Sequence, residues 1–335
     1  MKINKSFLIS AVISLSALGF YACSPASPKL KPEGKISYEK VNAENNNVFR
    51  RPSVDILFVV DDSGSMQIHQ NNVISNMDQF VDEFSKLKLI DYHIGVISTD
   101  ISKKGQLQGY PYYVESGTKN GLNYLKKNLK LGTNGSGTEI MFDPVAEALS
   151  SQAMNGYNSG FYRSDAYLVI IFVTDAEDQS VDYNEKELMS YLLNLKRNKD
   201  KILSYGALVP SNVNPTGDCQ RDGGTSPFMI ENFLNLSTNR GKNKVSLCDS
   251  QFGTKLVEFS KEIVNVVNKP VVLSKAPIVS TIQVTFGTQV IPSDFNTGWF
   301  YNPKDNSIEF GKDLFLDENQ PADAKIDVSF DSAKF

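Results

Sequence analysis

The sequence of 335 residues has few of the side chains that build a transition-metal centre or a nucleic-acid surface. It contains only three cysteines, two histidines and one tryptophan. A zinc site of cysteine and histidine would need nearly all of these residues, and their spacings do not suit one. The formal net charge is −4, which argues against non-specific nucleic-acid binding. Only one stretch, at the N-terminus, is long and apolar enough to approach a bilayer, so a multi-span membrane protein is excluded.

Sequence motifs for catalysis and nucleotide binding are also missing. The chain has no G-x-S-x-G turn, no P-loop and no C-x-x-C pair, so serine hydrolysis, nucleotide hydrolysis and dithiol chemistry lack their usual residues. His69 lies at a predicted helix start and is expected at the surface. His93 lies within a predicted strand. We therefore expect a protein that is not an enzyme.

The N-terminus has the pattern of an export signal. A basic segment at 1–5 precedes the apolar run 7–22, which is shorter than a spanning helix and ends before Cys23. The segment resembles a bacterial lipoprotein signal, although the family prefers leucine where Phe20 stands. The resemblance implies removal of 1–22 and a lipid on Cys23. Ser24 then favours the outer membrane of the cell envelope over the inner. The alternative is an ordinary signal that leaves Cys23 free.

Two further regions follow from the export expectation. Residues 24–34 are rich in proline, serine and lysine and predict a flexible tether. With Cys23 acylated, Cys219 and Cys248 form an even pair, which an oxidising compartment turns into a disulfide worth about 3 kcal/mol. Two separate thiols are the alternative. The disulfide would clamp loops at 210–227 and 239–249.

The body alternates strands and helices. A continuous apolar run at 54–60 predicts a parallel strand buried on both faces. Further strands are predicted at 92–98, 166–174 and 202–209, and the segment 166–174 is the most apolar. Between them lie helical patterns, and Asn184 with Glu187 forms a capping box. We predict an α/β fold, a doubly wound and mostly parallel sheet. An edge strand is expected at 110–115, and helices are expected at 139–150, 228–237 and 250–267.

The C-terminal part has a different period. Ile282, Val284 and Phe286 alternate with polar residues, and 299–310 has a hairpin pattern. This predicts a small antiparallel β module, which a strand at 35–42 would complete. The alternative is a loosely docked appendage. The predicted organisation is a signal at 1–22, a lipidated cysteine and tether at 23–50, an α/β domain at 51–270 and a β-rich module at 271–335.

Oxygen-bearing side chains gather at the ends of the predicted parallel strands. Asp61, Ser63 and Ser65 follow the first strand, with Gly64 expected to allow a sharp turn. Thr138 lies in a glycine-rich turn, and Asp175 ends the most apolar strand. Ligands of open α/β sheets bind at this edge. Oxygen-only ligands suit a hard cation, Mg²⁺ first, with Ca²⁺ or Mn²⁺ as alternatives.

The three segments DDSGS, GSGTE and VTDAED together resemble the metal-ion-dependent adhesion site of von Willebrand factor type A (vWA) domains, across about 52–268. Bacterial vWA-containing lipoproteins combine such a domain with a lipid anchor. The resemblance implies direct metal bonds from Ser63 and Ser65. It implies a direct or water-mediated bond from Thr138, and water-mediated contacts from Asp61 and Asp175. One position stays open for a partner's Asp or Glu.

The resemblance therefore implies an adhesion or interaction protein, lipid-anchored in the cell envelope, that binds a protein or surface ligand through the cation. The alternative is a structural scaffold in which the cation only stabilises. Asp62 is expected to be mostly exposed. Glu177, Asp178 and Asp182 are expected to form a solvated acidic rim, with a second cation site or a contact to the partner as the alternatives.

Overall fold

The computed structural model of this chain describes residues 38–42, 53–86, 90–212, 219, 225–249, 251–267, 270–311, 314–317, 320, 324 and 326–333. The signal 1–22, Cys23 and the tether 24–34 lie outside the described residues, so those expectations stay predictions. Among the residues described, no helix combines the length and the apolar character needed to cross a bilayer.

The centre of the α/β part is one six-stranded sheet. Its strands in chain order are β2 Ser53–Val60, β3 Asp91–Ser98, β4 Tyr113–Glu115, β5 Tyr167–Thr174, β6 Ile202–Leu208 and β7 Lys244–Ser246. Their order across the sheet is β4-β3-β2-β5-β6-β7, and only β4 is antiparallel to its neighbour. The predicted α/β fold with a mostly parallel sheet is confirmed.

The strand order reverses at β2. The chain leaves β2 for β3 on one side and later returns to β5 on the other side. The carboxyl ends of β2 and β5 therefore flank the crevice in which ligands of such sheets bind. Asp61 directly follows β2, and Asp175 directly follows β5.

Helices cover both faces of the sheet. They are α1 Gln67–Lys86, α2 Gly121–Leu129, α3 Phe142–Ala148, α4 Ser151–Met154, α5 Glu185–Lys196, α6 Phe228–Leu236 and α7 Phe252–Val267. Successive residues of β2 point to opposite faces, so Phe58 joins the core under α1 and α7, while Leu57 joins the core under α3, α5 and α6. The capping box of Asn184 and Glu187 starts α5 as predicted.

Helices α2 and α4 and the edge strand β7 of the α/β part were not predicted. Helix α2 was overlooked because its segment has a short apolar pattern. Strand β7 lies inside 239–249, which we predicted as a loop. It has only three residues at the sheet edge, and its single buried side chain, Val245, gives no periodic signal.

The C-terminal part forms two small sheets around their own core. The strands are β1 Tyr38–Asn42, β8 Val271–Val272, β9 Gln283–Phe286, β10 Gln289–Ile291, β11 Trp299–Asn302, β12 Ser307–Phe310 and β13 Ile326–Ala333. One sheet has the order β1-β13-β9-β10 and the other β11-β12-β8. Val284, Trp299 and Phe330 are among the side chains that pack between them. The strand predicted within 35–42 is thus β1, and it pairs antiparallel with β13.

Cys219 and Cys248 form a disulfide with a Cα–Cα distance of 5.5 Å, and both pack at the margin of the core under α1 and α7. The predicted pairing is supported. A Cys219→Ser/Cys248→Ser variant should unfold at lower urea concentration, with a loss of about 3 kcal/mol, because the closed loop restricts the unfolded chain. Reduced wild type should match it. Equal stability of reduced and oxidised protein would show that the bond contributes nothing.

Candidate metal site

Three loops meet at the carboxyl edge of the sheet. The turn after β2 is held to β5, since the amide of Asp61 donates to the carbonyl of Val173 at 3.0 Å. The glycine-rich loop joins the same turn, because the amide of Gly135 donates to the carbonyl of Asp62 at 2.8 Å. The predicted convergence of these segments on one place is therefore present in the fold.

The carboxylate of Asp61 is fixed on both oxygens. It is fully buried. Its Oδ1 accepts the amide of Ser63 at 2.9 Å, and its Oδ2 accepts the hydroxyl of Thr174 at 2.7 Å. Gln70, from the first turns of α1, donates to the carbonyl oxygens of Asp61 and Gly132. This side chain ties the turn to the glycine-rich loop, so both loops keep one geometry.

The two serines and Asp175 form a chain of hydrogen bonds. The hydroxyl oxygens of Ser63 and Ser65 lie 3.0 Å apart, and Ser65 donates to Oδ1 of Asp175 at 3.0 Å. Four of the five predicted site residues, Asp61 included, are thus joined in one network. Our reason for Gly64 was wrong: it has no positive φ, and a Cβ there would meet open space.

Thr138, the fifth predicted residue, lies apart from this network. It is exposed, and its amide donates to Ser136 Oγ at 3.0 Å. In the described part of the chain, no hydrogen bond joins Thr138 to the other four residues. The glycine-rich loop approaches the turn through Gly135 instead. A Cβ on Gly135 would lie 2.4 Å from Oδ1 of Asp62, so only glycine allows this approach.

Glu139 is a buried member of the site that our sequence analysis missed. It is fully buried, and its Oε2 accepts the hydroxyl of Thr99 at 2.8 Å. Its Oε1 is buried without a hydrogen-bond partner. Its only signal in the sequence was its place directly after Thr138, where a carboxyl group ends a turn of small residues.

Several buried carboxyl groups lie close together at the site. Burial, and then the nearby charge of Asp61, raise the pKa of Glu139 to about 8. Asp62 is buried, which corrects our expectation of an exposed side chain. Burial also raises its pKa, while the hydrogen bond from Ser98 opposes this. No ion pair to Lys, Arg or His involves Asp61, Asp62 or Glu139 within the described ranges.

Such an arrangement needs protons or a cation, since uncompensated carboxylates are costly to bury. Where the chain is described, no group of three or more His, Cys, Asp or Glu side chains is placed to hold a metal ion. A cation at this edge would therefore depend on the hydroxyl oxygens of Ser63 and Ser65 together with the carboxylates.

His69 is buried beneath the turn, and our expectation of a surface position was wrong. Its Nδ1 has no hydrogen-bond partner. Burial lowers its pKa, and the charge of Asp61 opposes that shift. Helix α1 enters the core directly after the turn, which is why a residue so near the helix start is covered.

The predicted solvated acidic rim is only partly present. Asp182 is exposed, but Asp178 is buried and its Oδ1 accepts the amide of Met141 at 2.7 Å. Glu177 is half-buried and accepts the amide of Met229 at 3.1 Å. Asp178 and Glu177 thus anchor helices α3 and α6 to the loop after β5, a structural role that composition alone did not reveal.

Asp178 gives a pH-dependent test of this anchoring. Burial raises its pKa to about 6. Between about pH 4 and pH 6 the folded protein keeps a proton that the unfolded chain releases, so wild-type stability should fall as pH rises through this window. In Asp178→Asn the decrease in the free energy of unfolding across this window, measured with urea, should be smaller by about 2 kcal/mol. The exposed Asp182→Asn control should titrate like wild type, and an unchanged slope in Asp178→Asn would contradict the assignment.

Comparisons with known proteins give weak similarity. No family model and no curated protein matches the chain. Proximal thread matrix protein 1 from the mussel byssus is 11% identical over 64% of this chain and 48% of its own, with a TM-score of 0.40. A second structure of that protein, with a zinc-occupied MIDAS motif, is 12% identical over 64% of this chain and 48% of its own, with a TM-score of 0.38.

The pilus adhesin SpaC from Lactobacillus rhamnosus GG, in its open conformation, is 13% identical over 84% of this chain and 39% of its own, with a TM-score of 0.40. The chain therefore spans about half or less of the length of these solved structures. Similarity at this level says nothing about what this chain binds.

Proposed function

We propose that the chain is an interaction protein of the cell envelope whose vWA-type domain binds one divalent cation and, through it, an acidic side chain of a partner. Ser63 and Ser65 would hold the cation directly, with Asp61 and Asp175 behind them. Thr138 would contribute from the adjoining loop. Mg²⁺ is the first candidate, with Ca²⁺ or Mn²⁺ as alternatives.

One observation carries the proposal. The carboxyl groups of Asp61, Asp62 and Glu139 are buried beside two serine hydroxyls, and no described basic side chain forms an ion pair with any of them. Buried charge of one sign is stable only when it is neutralised or paired. A bound cation supplies that charge, and it would take the place of the proton that Glu139, with a pKa of about 8, otherwise keeps near neutral pH.

The donor set also fits a site that takes up a partner. Neutral hydroxyl ligands leave most of the ion's charge uncompensated, so a bound cation would attract an outside carboxylate strongly. If more carboxylates bound the ion directly, the ion would be held more tightly, but its remaining charge would attract the partner's carboxylate less. We therefore favour a binding role over catalysis.

The cell-envelope part of the proposal rests on the signal at 1–22 and on Cys23. A disulfide between Cys219 and Cys248 is compatible with export. We propose a lipid anchor on Cys23, with Ser24 favouring the outer membrane. Mass spectrometry of the protein from a membrane fraction would test the anchor, with Cys23→Ser released to the soluble fraction.

The cation and its role are tested by one pair of measurements. Mg²⁺ at a hundredfold excess over its Kd should stabilise wild type by about 2.7 kcal/mol. Ser63→Ala should lose this gain, while Ser75→Ala, at an exposed position on α1, should keep it.

Pull-downs from envelope extract test the role of the cation, and they should recover a partner only without EDTA. If Mg²⁺ shifts melting but EDTA leaves capture unchanged, the chain is a scaffold and the cation only stabilises it.

A further inference from the structure

A second opening is lined in part by the two loops after β3 and β5, which also contribute to the candidate metal site. It is a cavity of about 460 Å³ whose walls include Ile101, Glu147, Asp182, Tyr183 and Tyr191. Its volume is ample for one long side chain. Asp182 belongs to the predicted acidic rim, and the other four residues have no role in the proposed function.

The cavity and the site share two loops. After β3, Thr99 hydrogen-bonds Glu139 in the site, and Ile101 two residues later lines the cavity. After β5, Asp175 joins the site, and Asp182 lines the cavity. The second loop is held in place because Asp143, at the start of α3, accepts the amides of 181–183. A partner that reaches the cation would therefore lie next to the cavity.

The cavity has acidic and aromatic walls. Glu147 and Asp182 are both exposed, and Lys104 is the basic residue that lines it. The rings of Tyr183 and Tyr191 lie 5.7 Å apart in an edge arrangement. A lining that combines aromatic and aliphatic side chains with exposed carboxylates suits a side chain that has an aliphatic stem and a cationic end.

Exposed apolar side chains lie on the same two loops. Ile101, which lines the cavity, is 50% exposed, and Val181, the chain neighbour of Asp182, is 86% exposed. Apolar surface around a charged opening is typical of protein interfaces, where aliphatic contacts exclude water from the central contact. A polysaccharide rich in carboxylates would gain nothing from this apolar surface, and the carboxylates of Glu147 and Asp182 would repel it.

We infer that this cavity receives a Lys or Arg side chain of the protein whose Asp or Glu completes the cation. The inference rests on the proposed function and narrows it, since the partner becomes a protein segment with an acidic and a basic residue at a fixed separation. Charge complementarity then gives specificity at two adjoining points, one through the cation and one through Glu147 and Asp182.

A displayed library of nine-residue peptides with a fixed central Asp tests the inference on the full chain in Mg²⁺. Selected peptides should carry Lys or Arg at a preferred spacing from the Asp. Replacing that basic residue with Ala should weaken Kd at least about fivefold on wild type. On Glu147→Gln/Asp182→Asn the same replacement should change Kd less than about twofold.

A matched variant controls for net charge. Asp165→Asn/Asp200→Asn removes two exposed carboxylates that precede β5 and β6, at the opposite edge of the sheet, and should behave like wild type. Selection without a basic preference, a preference that survives in Glu147→Gln/Asp182→Asn, or tighter binding to an array of acidic glycans would overturn the inference. If separate calorimetry shows that the wild-type protein does not bind Mg²⁺, the proposed function is overturned instead.

Discussion

Replacing Asp61 with asparagine is expected to abolish stabilisation by Mg²⁺ while leaving the chelated protein at least as stable as wild type. Asp61 is fully buried, and its charge raises the pKa of Glu139. Without a cation, this charge therefore costs free energy, and its removal should stabilise the chelated protein by up to about 1 kcal/mol. With a cation present, the same charge attracts the ion, so the variant should lose the gain of about 2.7 kcal/mol.

Thermal unfolding in EDTA and in Mg²⁺ measures both effects. Asp78→Asn, on the exposed face of α1 where Asp78 pairs with Lys126, is the control and should keep the full response to Mg²⁺. Relative to wild type, Asp61→Asn should be at least as stable in EDTA and less stable in Mg²⁺. This pair of results separates a cation site from a carboxylate that only supports the fold. An Asp61→Asn variant that is much less stable than wild type in EDTA would show that Asp61 serves the fold alone.

Replacing Arg163 with methionine is expected to destabilise the fold by about 3–5 kcal/mol, because a buried carboxylate then loses its partner. Asp55 on β2 is fully buried. Its two oxygens accept the backbone amide of Arg163 at 2.7 Å and Nε at 2.8 Å. The guanidinium also reaches Oδ2 of Asp91 on β3 at 2.5 Å. This ion pair lies at the sheet edge opposite the candidate site.

The pH dependence of that loss follows from Asp55. Burial raises its pKa and Arg163 opposes the shift, so removal of the arginine should raise the pKa further. The deficit of Arg163→Met should then be largest near neutral pH and shrink as the pH falls and Asp55 takes up a proton. Urea unfolding at several pH values measures this. Asp55→Asn in the same variant should recover part of the loss at pH 7, and a deficit independent of pH would contradict the account.

The sequence predicted the central strands well because burial on both faces selects mostly apolar segments. Strands β2, β3, β5 and β6 each match a predicted segment to within one residue at either end. The short edge strand β7 has one buried residue and gives no comparable pattern. Local patterns therefore locate the centre of a parallel sheet, whereas its edges depend on contacts that form between distant segments.

The sequence also predicted part of the candidate site, namely the residues that follow strand ends. It did not predict the part that depends on contacts between distant segments. Asp61, Ser63, Ser65 and Asp175 follow strand ends, so topology alone brings them together. The burial of Asp62 and His69 and the role of Glu139 depend on how the glycine-rich loop covers the turn. That packing involves residues far apart in the sequence, and composition gives no hint of it.

The most direct test of the cation site is a crystal structure of the whole protein grown with Mn²⁺, with its anomalous scattering recorded. We expect one anomalous peak about 2.0–2.2 Å from Oγ of both Ser63 and Ser65, the distance of a small divalent cation from directly bound oxygen. A structure with high Mn²⁺ and no peak at these two hydroxyls would contradict the account.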